Sequence, residues 1–253
     1  MKDVQSQQDT RGVYINKVGV KNLVFPIEIR NREGEWVSTA ATISLFVGLN
    51  AQQKGTHMSR FVEIISRKHR IDLMEMKTIL EEMCEKLEAE NSYIQLKFDY
   101  FIEKQAPVTG IPSLVNVGVE YSASLEKGDF EFDMRVTTPI TTLCPCSKEI
   151  SDYSAHNQRA DVSIQIRRKK FLWIEQLVDI AEASSSSPVY SLLKRPDEKY
   201  VTEHAYDNPK FVEDVCREVK LRVDELENVR EFCIEVESME SIHNHSAYAM
   251  VRG

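Results

Sequence analysis

The feature that most constrains this chain is a strict alternation of apolar and polar residues in several separate stretches. Ile94, Leu96, Phe98 and Tyr100 occupy every second position, as do Val115, Val117, Val119 and Tyr121. Phe130, Phe132, Met134 and Val136 repeat the pattern, and Val162, Ile164 and Ile166 repeat it again. Successive side chains on a strand point to opposite faces, so a period of two means strands with one face buried. Antiparallel sheets accept one dry and one wet face. The second and third stretches join across Lys127-Gly128-Asp129, which reads as a hairpin turn.

Something must cover the dry face, and the helical segments supply it. Asp72 with Glu75 resembles a capping box, and Leu73, Met76, Leu80, Met83 and Leu87 follow at helical spacing. Phe61 to Arg70 reads as a weaker partner helix. Two extended stretches fill Val13 to Leu49, with a turn near Arg32 to Gly34. Later in the chain, a helix is expected from Phe171 to Ala183, ended by Ser184 to Ser187 and Pro188. A longer one is expected to open with Asn208 as N-cap and Pro209 at its first position. Its stripe comprises Val212, Val215, Cys216, Val219, Val223 and Leu226. Strands around Phe232 to Val236 and Ala247 to Val251 close the chain. The order of strands, two helices and strands thus occurs twice. An α+β fold follows, with antiparallel sheets carrying paired helices on one face. The expected division is a flexible tail at 1–12, one unit at 13–137 and a second at 138–253, with the boundary near Thr137 to Asn157.

Composition narrows the class. Lys and Arg total 32 against 40 Asp and Glu, a net charge of −8 over 253 residues, which is not the footprint of a nucleic-acid binder. Arg167, Arg168, Lys169 and Lys170 form the one basic run and read as a solvated corner. No stretch approaches the roughly 18 apolar residues of a membrane span, and Met1 to Gly12 has no apolar core of the signal-peptide kind. Five cysteines, an odd and sparse set, point to the cytoplasm and free thiols.

Four stretches carry the residues of chemical interest. TTLCPCSKEISDYSAHNQR, Thr141 to Arg159, sets Cys144 and Cys146 about Pro145, with His156 twelve residues after the first cysteine. Thiolate and imidazole are ligands for zinc and iron(II), although an isolated cytosolic cysteine is more often a small buried hydrophobe. ESIHNHSAYA, Glu240 to Ala249, places His243 and His245 two apart before a strand, either as a polar pocket or as a surface pair. RPDEKYVTEHAYDNPKFVED, Arg195 to Asp214, offers Glu198 and Glu203 in what reads as a loop, and Glu213 flanking the apolar stripe in the first turns of the helix that follows. GLNAQQKGTHMSRF, Gly48 to Phe61, combines Lys54, Gly55, Thr56 and His57, a plausible anion cradle that matches no phosphate-loop pattern.

Together these motifs resemble GTP cyclohydrolase I of the IB type, in order and approximate spacing, from about Val13 to the C-terminus. The resemblance implies tandem tunnelling-fold units, a homotetramer with active sites at subunit interfaces, and a divalent metal, Zn²⁺ or alternatively Mn²⁺ or Fe²⁺. By position, the metal ligands would be Cys144, His156, Glu198 and His243, with Cys144, His243 and His245 sharing the catalytic work. Glu213 would hold the guanine edge of GTP. Lys54, His57, Lys148 and Arg159 are candidates for its triphosphate. His204 lies in a matching segment without an assignable role. The implied reaction turns GTP and water into 7,8-dihydroneopterin triphosphate and formate, the first step of tetrahydrofolate biosynthesis. It needs an activated water, and a divalent cation lowers the pKa of bound water from 15.7 towards about 7. Two other readings compete: a tunnelling-fold nitrile reductase with a nucleophilic cysteine, and a closed structural zinc site in a non-catalytic module.

Overall fold

Every alternating stretch forms a strand. The computed structural model describes Gln5 and residues 7–168, 172–227 and 229–253, the side chain of Arg168 excepted. Lys169, Lys170 and Phe171, and most of the first residues of the expected tail (1–4 and 6), lie outside the described residues. The chain divides into two compact units, Met1–Asp99 with Glu120–Met134, and Tyr100–Val119 with Arg135–Gly253.

In the first unit, β1 (Ile15–Arg30) pairs antiparallel with β2 (Trp36–Leu49). The turn between them uses Gly34 at φ +86°. Helix α1 (Met58–Ile65), the two-residue β3 (Arg70–Ile71) and α2 (Leu73–Leu87) follow. Three long strands, β4 (Asn91–Gln105), β5 (Pro112–Glu126) and β6 (Asp129–Leu143), contribute a part to each unit. The order here is β3-β1-β2-β4-β5-β6. Lys127 and Gly128 both have positive φ, 51° and 89°, the combination a two-residue type I′ hairpin requires.

The inward ladder of Ala41, Ile43, Leu45 and Val47 on β2, with Ile94, Leu96 and Phe98 on β4, is buried. So are Phe61, Ile64 and Ile65 of α1 and Met76, Ile79, Leu80 and Met83 of α2. Each large side chain so buried is worth about 1.5–3 kcal/mol. Asp72 caps α2 as expected, accepting the Glu75 N–H at 2.8 Å. Helix α1 starts and ends earlier than Phe61 to Arg70, because the chain must extend for β3 to pair with β1. There Glu28 N–H reaches the His69 carbonyl at 2.7 Å. The N-terminal segment pairs too: Lys54 N–H bonds to Gln7 O at 3.0 Å and Gly55 N–H to Gln5 O at 3.2 Å.

The second unit adds α3 (Pro145–Ile150), β7 (Asn157–Arg168), α4 (Ile174–Ala183) and β8 (Ser187–Pro188). It continues with α5 (Arg195–Asp207), α6 (Val212–Asp224), β9 (Val229–Met239) and β10 (Ser246–Arg252). Its strand order is β4-β5-β6-β7-β9-β10, with β8 on β6. Val162, Ile164 and Ile166 of β7 and Ile234 and Val236 of β9 are buried, as are Val215, Cys216, Val219 and Val223 of α6.

Helix α5 departs from expectation, since that stretch reads as a loop. Only Asp197 and Ala205 are buried on it, so it shows no apolar stripe. Asn208 closes this helix rather than opening the next: its N–H and side-chain amide bond the His204 carbonyl at 3.2 and 2.9 Å. Helix α6 begins at Val212 instead, where Phe211 N–H donates to the Asp214 carboxylate at 3.1 Å. Pro209 therefore lies between the two helices. The tandem α+β architecture is otherwise the one expected.

Candidate active site

In the second unit the inward ladder turns polar at one end. Along β6 it runs Val136, Thr138, Ile140, Thr142; along β7 it runs Ile164, Val162, Ala160, Gln158; along β9 it runs Ile234, Val236, Ser238. Ser238 pairs opposite Ala160, one inward position before Gln158. The Gln158 side-chain amide donates to Thr142 Oγ1 at 3.0 Å, and Thr142 and Ser238 hydroxyls lie 3.3 Å apart. Thr142 and Ser238 are buried, so these bonds supply partners that burial would otherwise deny.

Cys144 follows directly as the N-cap of α3, and a small network ties it to His156. Its N–H bonds the His156 carbonyl at 3.1 Å. Ser147 N–H points at the Cys144 sulfur at 3.5 Å, while Ser147 Oγ donates to the Cys144 carbonyl at 3.1 Å and accepts the His156 N–H at 3.2 Å. Cys144 is half-buried and Cys146 is exposed. His156 Nδ1 stands 2.8 Å from Gln158 Oε1 and 3.5 Å from Ser241 Oγ, and Nε2 has no hydrogen-bond partner among the described residues. Ser241 opens the turn that holds His243 and His245. These two rings stack at 5.1 Å and 19°, both exposed. They are side by side as expected, in a turn rather than in extended chain.

The carboxylates lie on the helices α5 and α6. Glu198 is in the first turn of α5 and Glu213 in that of α6, both exposed. Among the described residues no hydrogen bond or ion pair joins either side chain to Cys144, His156 or His243. Asp197, next to Glu198, is fully buried. Its carboxylate accepts from Lys194, Val108 and Thr109 N–H and from the Thr109 hydroxyl, at 2.8–2.9 Å. Glu203 pairs with Lys199 at 2.5 Å. His204 stacks on Tyr200 at 5.6 Å, its Nδ1 3.4 Å from the Asn208 amide.

Several expected phosphate ligands already have partners. Lys148 Nζ sits over the Tyr206 ring at 4.0 Å and donates to the Tyr206 carbonyl. The Lys54 ammonium is 3.5 Å from Gln7 Oε1, and the Lys54 and Gly55 N–H groups of the expected cradle are taken by the N-terminal segment. His57 caps α1 by position, without a side-chain capping bond. Arg159 is exposed and its charge opposes the rise that burial gives the Asp161 carboxyl. Ser147, Gln158, Thr142 and Ser241 had drawn no attention in the sequence. Only the i, i+2 spacing of His156 and Gln158 at the start of β7 could have flagged one of them.

Among the described residues, no three His, Cys, Asp or Glu side chains stand together as a metal cage. The donor types nevertheless suit a metal: Cys144 and His156 are joined through their backbones, and the imidazole is held through Nδ1 with Nε2 left open. The fold is that of a tunnelling-fold protein, with Cys144 and His156 as its candidate site residues.

Comparisons with known proteins bear on the fold and the family. Residues 1–249 match the family model described as type I GTP cyclohydrolase FolE2. GTP cyclohydrolase FolE2 of Geotalea uraniireducens is 49% identical over 252 residues, covering 99% of this chain and 93% of that one. The protein of the same name from Caldicellulosiruptor bescii is 50% identical over 253 residues, covering 100% and 98%. Among solved structures, a uricase from Arthrobacter globiformis aligns with TM-score 0.52 at 6% identity, covering 100% of this chain and 94% of the other. A Bacillus urate oxidase variant aligns with TM-score 0.54 at 8% identity, covering 94% and 98%. At such identities these two speak for the fold alone. The chain belongs to the type I GTP cyclohydrolase FolE2 family and is a GTP cyclohydrolase. Among the described residues, no helix is long and apolar enough to cross a membrane.

Proposed function

We propose that this chain converts GTP and water into 7,8-dihydroneopterin triphosphate and formate with the aid of a divalent cation, at the entry to tetrahydrofolate synthesis in the cytoplasm. The observation that carries the metal reading is the joining of Cys144 to His156, with the ring's second nitrogen left open. Cys144, His156, Glu198 and His243 would hold the cation, Zn²⁺, Mn²⁺ or Fe²⁺. When bound, it supplies Lewis acidity and a water acidic enough to react at neutral pH.

The protein's own groups do the rest. His243 and His245, stacked and exposed, would pass protons on and off the opening imidazole of the substrate. Glu213 would accept from the N1–H and 2-amino donors of guanine, a bidentate match. Lys54, His57, Lys148 and Arg159 would face the triphosphate, with Lys148 and Lys54 first giving up their present partners. Exposure of Glu198 and His243 suits a homotetramer in which neighbouring copies complete the site. The four signature segments favour the IB subtype within the type I family.

The test is direct. Metal-stripped protein is supplied with each cation in turn, and pterin fluorescence is followed with GTP as substrate. Restoration by at least one cation is expected. Failure with all of them, or full activity of metal-stripped protein, would remove the metal from this reading.

A further inference from the structure

The polar ladder ends on His156, and its last member reaches the ring. We propose that Gln158 is a positioning residue that holds His156 in the tautomer with its proton on Nδ1, reserving the Nε2 lone pair for the metal. The proposal rests on His156 being a metal ligand, as argued above.

The case is built from donors and acceptors. A side-chain amide has one end that only accepts and one that only donates. The far end of Gln158 is anchored, its Nε2 donating to Thr142 Oγ1 at 3.0 Å, and Thr142 is in turn 3.3 Å from Ser238 Oγ. Both hydroxyl residues are buried, with exposures of 1% and 0%, so the anchor does not exchange readily with solvent. That leaves the acceptor Oε1 facing His156 Nδ1 at 2.8 Å. A ring nitrogen facing an acceptor carries the proton, and the other nitrogen then keeps its lone pair. Ser241 Oγ, 3.5 Å from the same Nδ1, can accept as well and so agrees with this assignment. The His156 backbone is fixed separately, through its carbonyl to Cys144 N–H and its N–H to Ser147 Oγ. With the backbone and one nitrogen held, the direction of Nε2 is set before any metal arrives.

Two substitutions separate the possibilities. Gln158→Met keeps the length and loses the acceptor; Gln158→Glu keeps an acceptor toward the ring and can still accept the Thr142 hydroxyl proton. Zinc dissociation constants are measured by chelator competition, beside kcat and KM for GTP. Gln158→Met should weaken zinc by roughly 10–100-fold, with activity recovering at saturating zinc and KM unchanged. Gln158→Glu should retain tight binding. Wild-type affinity in Gln158→Met would overturn the proposal. So would an equal loss in Gln158→Glu, since an acceptor facing the ring would then not be what supports metal binding. Should Gln158→Met fail to fold, Thr142→Val removes the anchor and reads the same linkage: weaker zinc supports it, unchanged zinc overturns it. The ¹⁵N shifts of His156 in metal-free protein report the tautomer without reference to activity, and a proton on Nε2 also refutes the proposal. A His156→Ala protein that keeps its metal would instead refute the underlying ligand assignment.

Discussion

The two units treat buried polar groups differently. In the first, the inward ladder stays largely apolar to the strand ends, through Leu45, Val47 and Leu49 on β2. Where a polar side chain does turn inward, it is consumed locally: the buried Ser92 hydroxyl donates to the Leu80 carbonyl at 2.9 Å, with the Cys84 thiol 3.3 Å away. In the second, the ladder ends in Thr142, Gln158 and Ser238, and their bonds do not close on themselves. They lead out to an imidazole with one nitrogen open. A satisfied polar group in a core serves stability, and a chain of them ending at an imidazole nitrogen left open marks a candidate site. The same α+β plan thus carries packing in one unit and candidate chemistry in the other.

The strongest way to break this contrast is to remove the sulfur. Cys144→Ala should lower turnover by more than about 100-fold, since a ligand should matter more than the partners that orient ligands. Cys146→Ala, at an exposed position, should be mild. Full loss in both variants, with metal retained in Cys144→Ala, would sink the assignment. The converse experiment is in the first unit. Ile79→Ala, at a position with no exposure, should cost about 2–5 kcal/mol in denaturant unfolding while leaving kcat of the folded protein alone. A large fall in kcat there would mean that the first unit is more than packing.

How much of this was legible follows from the kind of signal each element leaves. Strands announced themselves because one face is dry along their length, and α2 did so through its cap and its stripe. Helix α5 did not, because its buried residues are an aspartate and an alanine, and Asn208-Pro209 gave the appearance of a start while closing a helix. Cys144 and His156 stand out as candidates by residue type, while the backbone bond that joins them does not show in the sequence. Ser147 and Gln158 were not, since their importance depends on strand register and on which atoms face each other. Glu198, expected in a loop, lies on α5, which leaves no apolar stripe, whereas Glu213 lies in the first turn of α6, on the helix expected there.

Asp197 sharpens the contrast inside the second unit, as a buried polar group whose bonds do close. Burial alone would raise its carboxyl. The N–H groups of Thr109, Lys194 and Val108, with the Thr109 hydroxyl, bring it down to about 2 against an ordinary 3.8. A carboxyl lowered on folding stabilises the native state above its unfolded value, and that contribution fades as pH falls through the folded one. Asp197→Asn should therefore be less stable at neutral pH and show a flatter loss of thermal stability between pH 4 and pH 2. Parallel stability curves for the two proteins would show that Asp197 contributes no such linkage.

Glu213 is expected to give the smallest change in stability and the most pointed one in substrate choice. It is exposed, in the first turn of α6, where a carboxylate favours the helix dipole by about 0.3–1 kcal/mol. If that were its whole role, Glu213→Ala would unfold slightly more easily and bind GTP as before. If it meets the guanine edge, the same variant should raise KM for GTP sharply with metal content intact. Wild type should then reject ATP, whose N1 is an acceptor and which lacks the 2-amino group. A site built to pair with donors can discriminate by roughly 10⁴–10⁵, because the carboxylate would be left facing an acceptor. Measuring KM for GTP beside metal content and a melting curve separates the two roles, and an unchanged KM would return Glu213 to the surface of the helix.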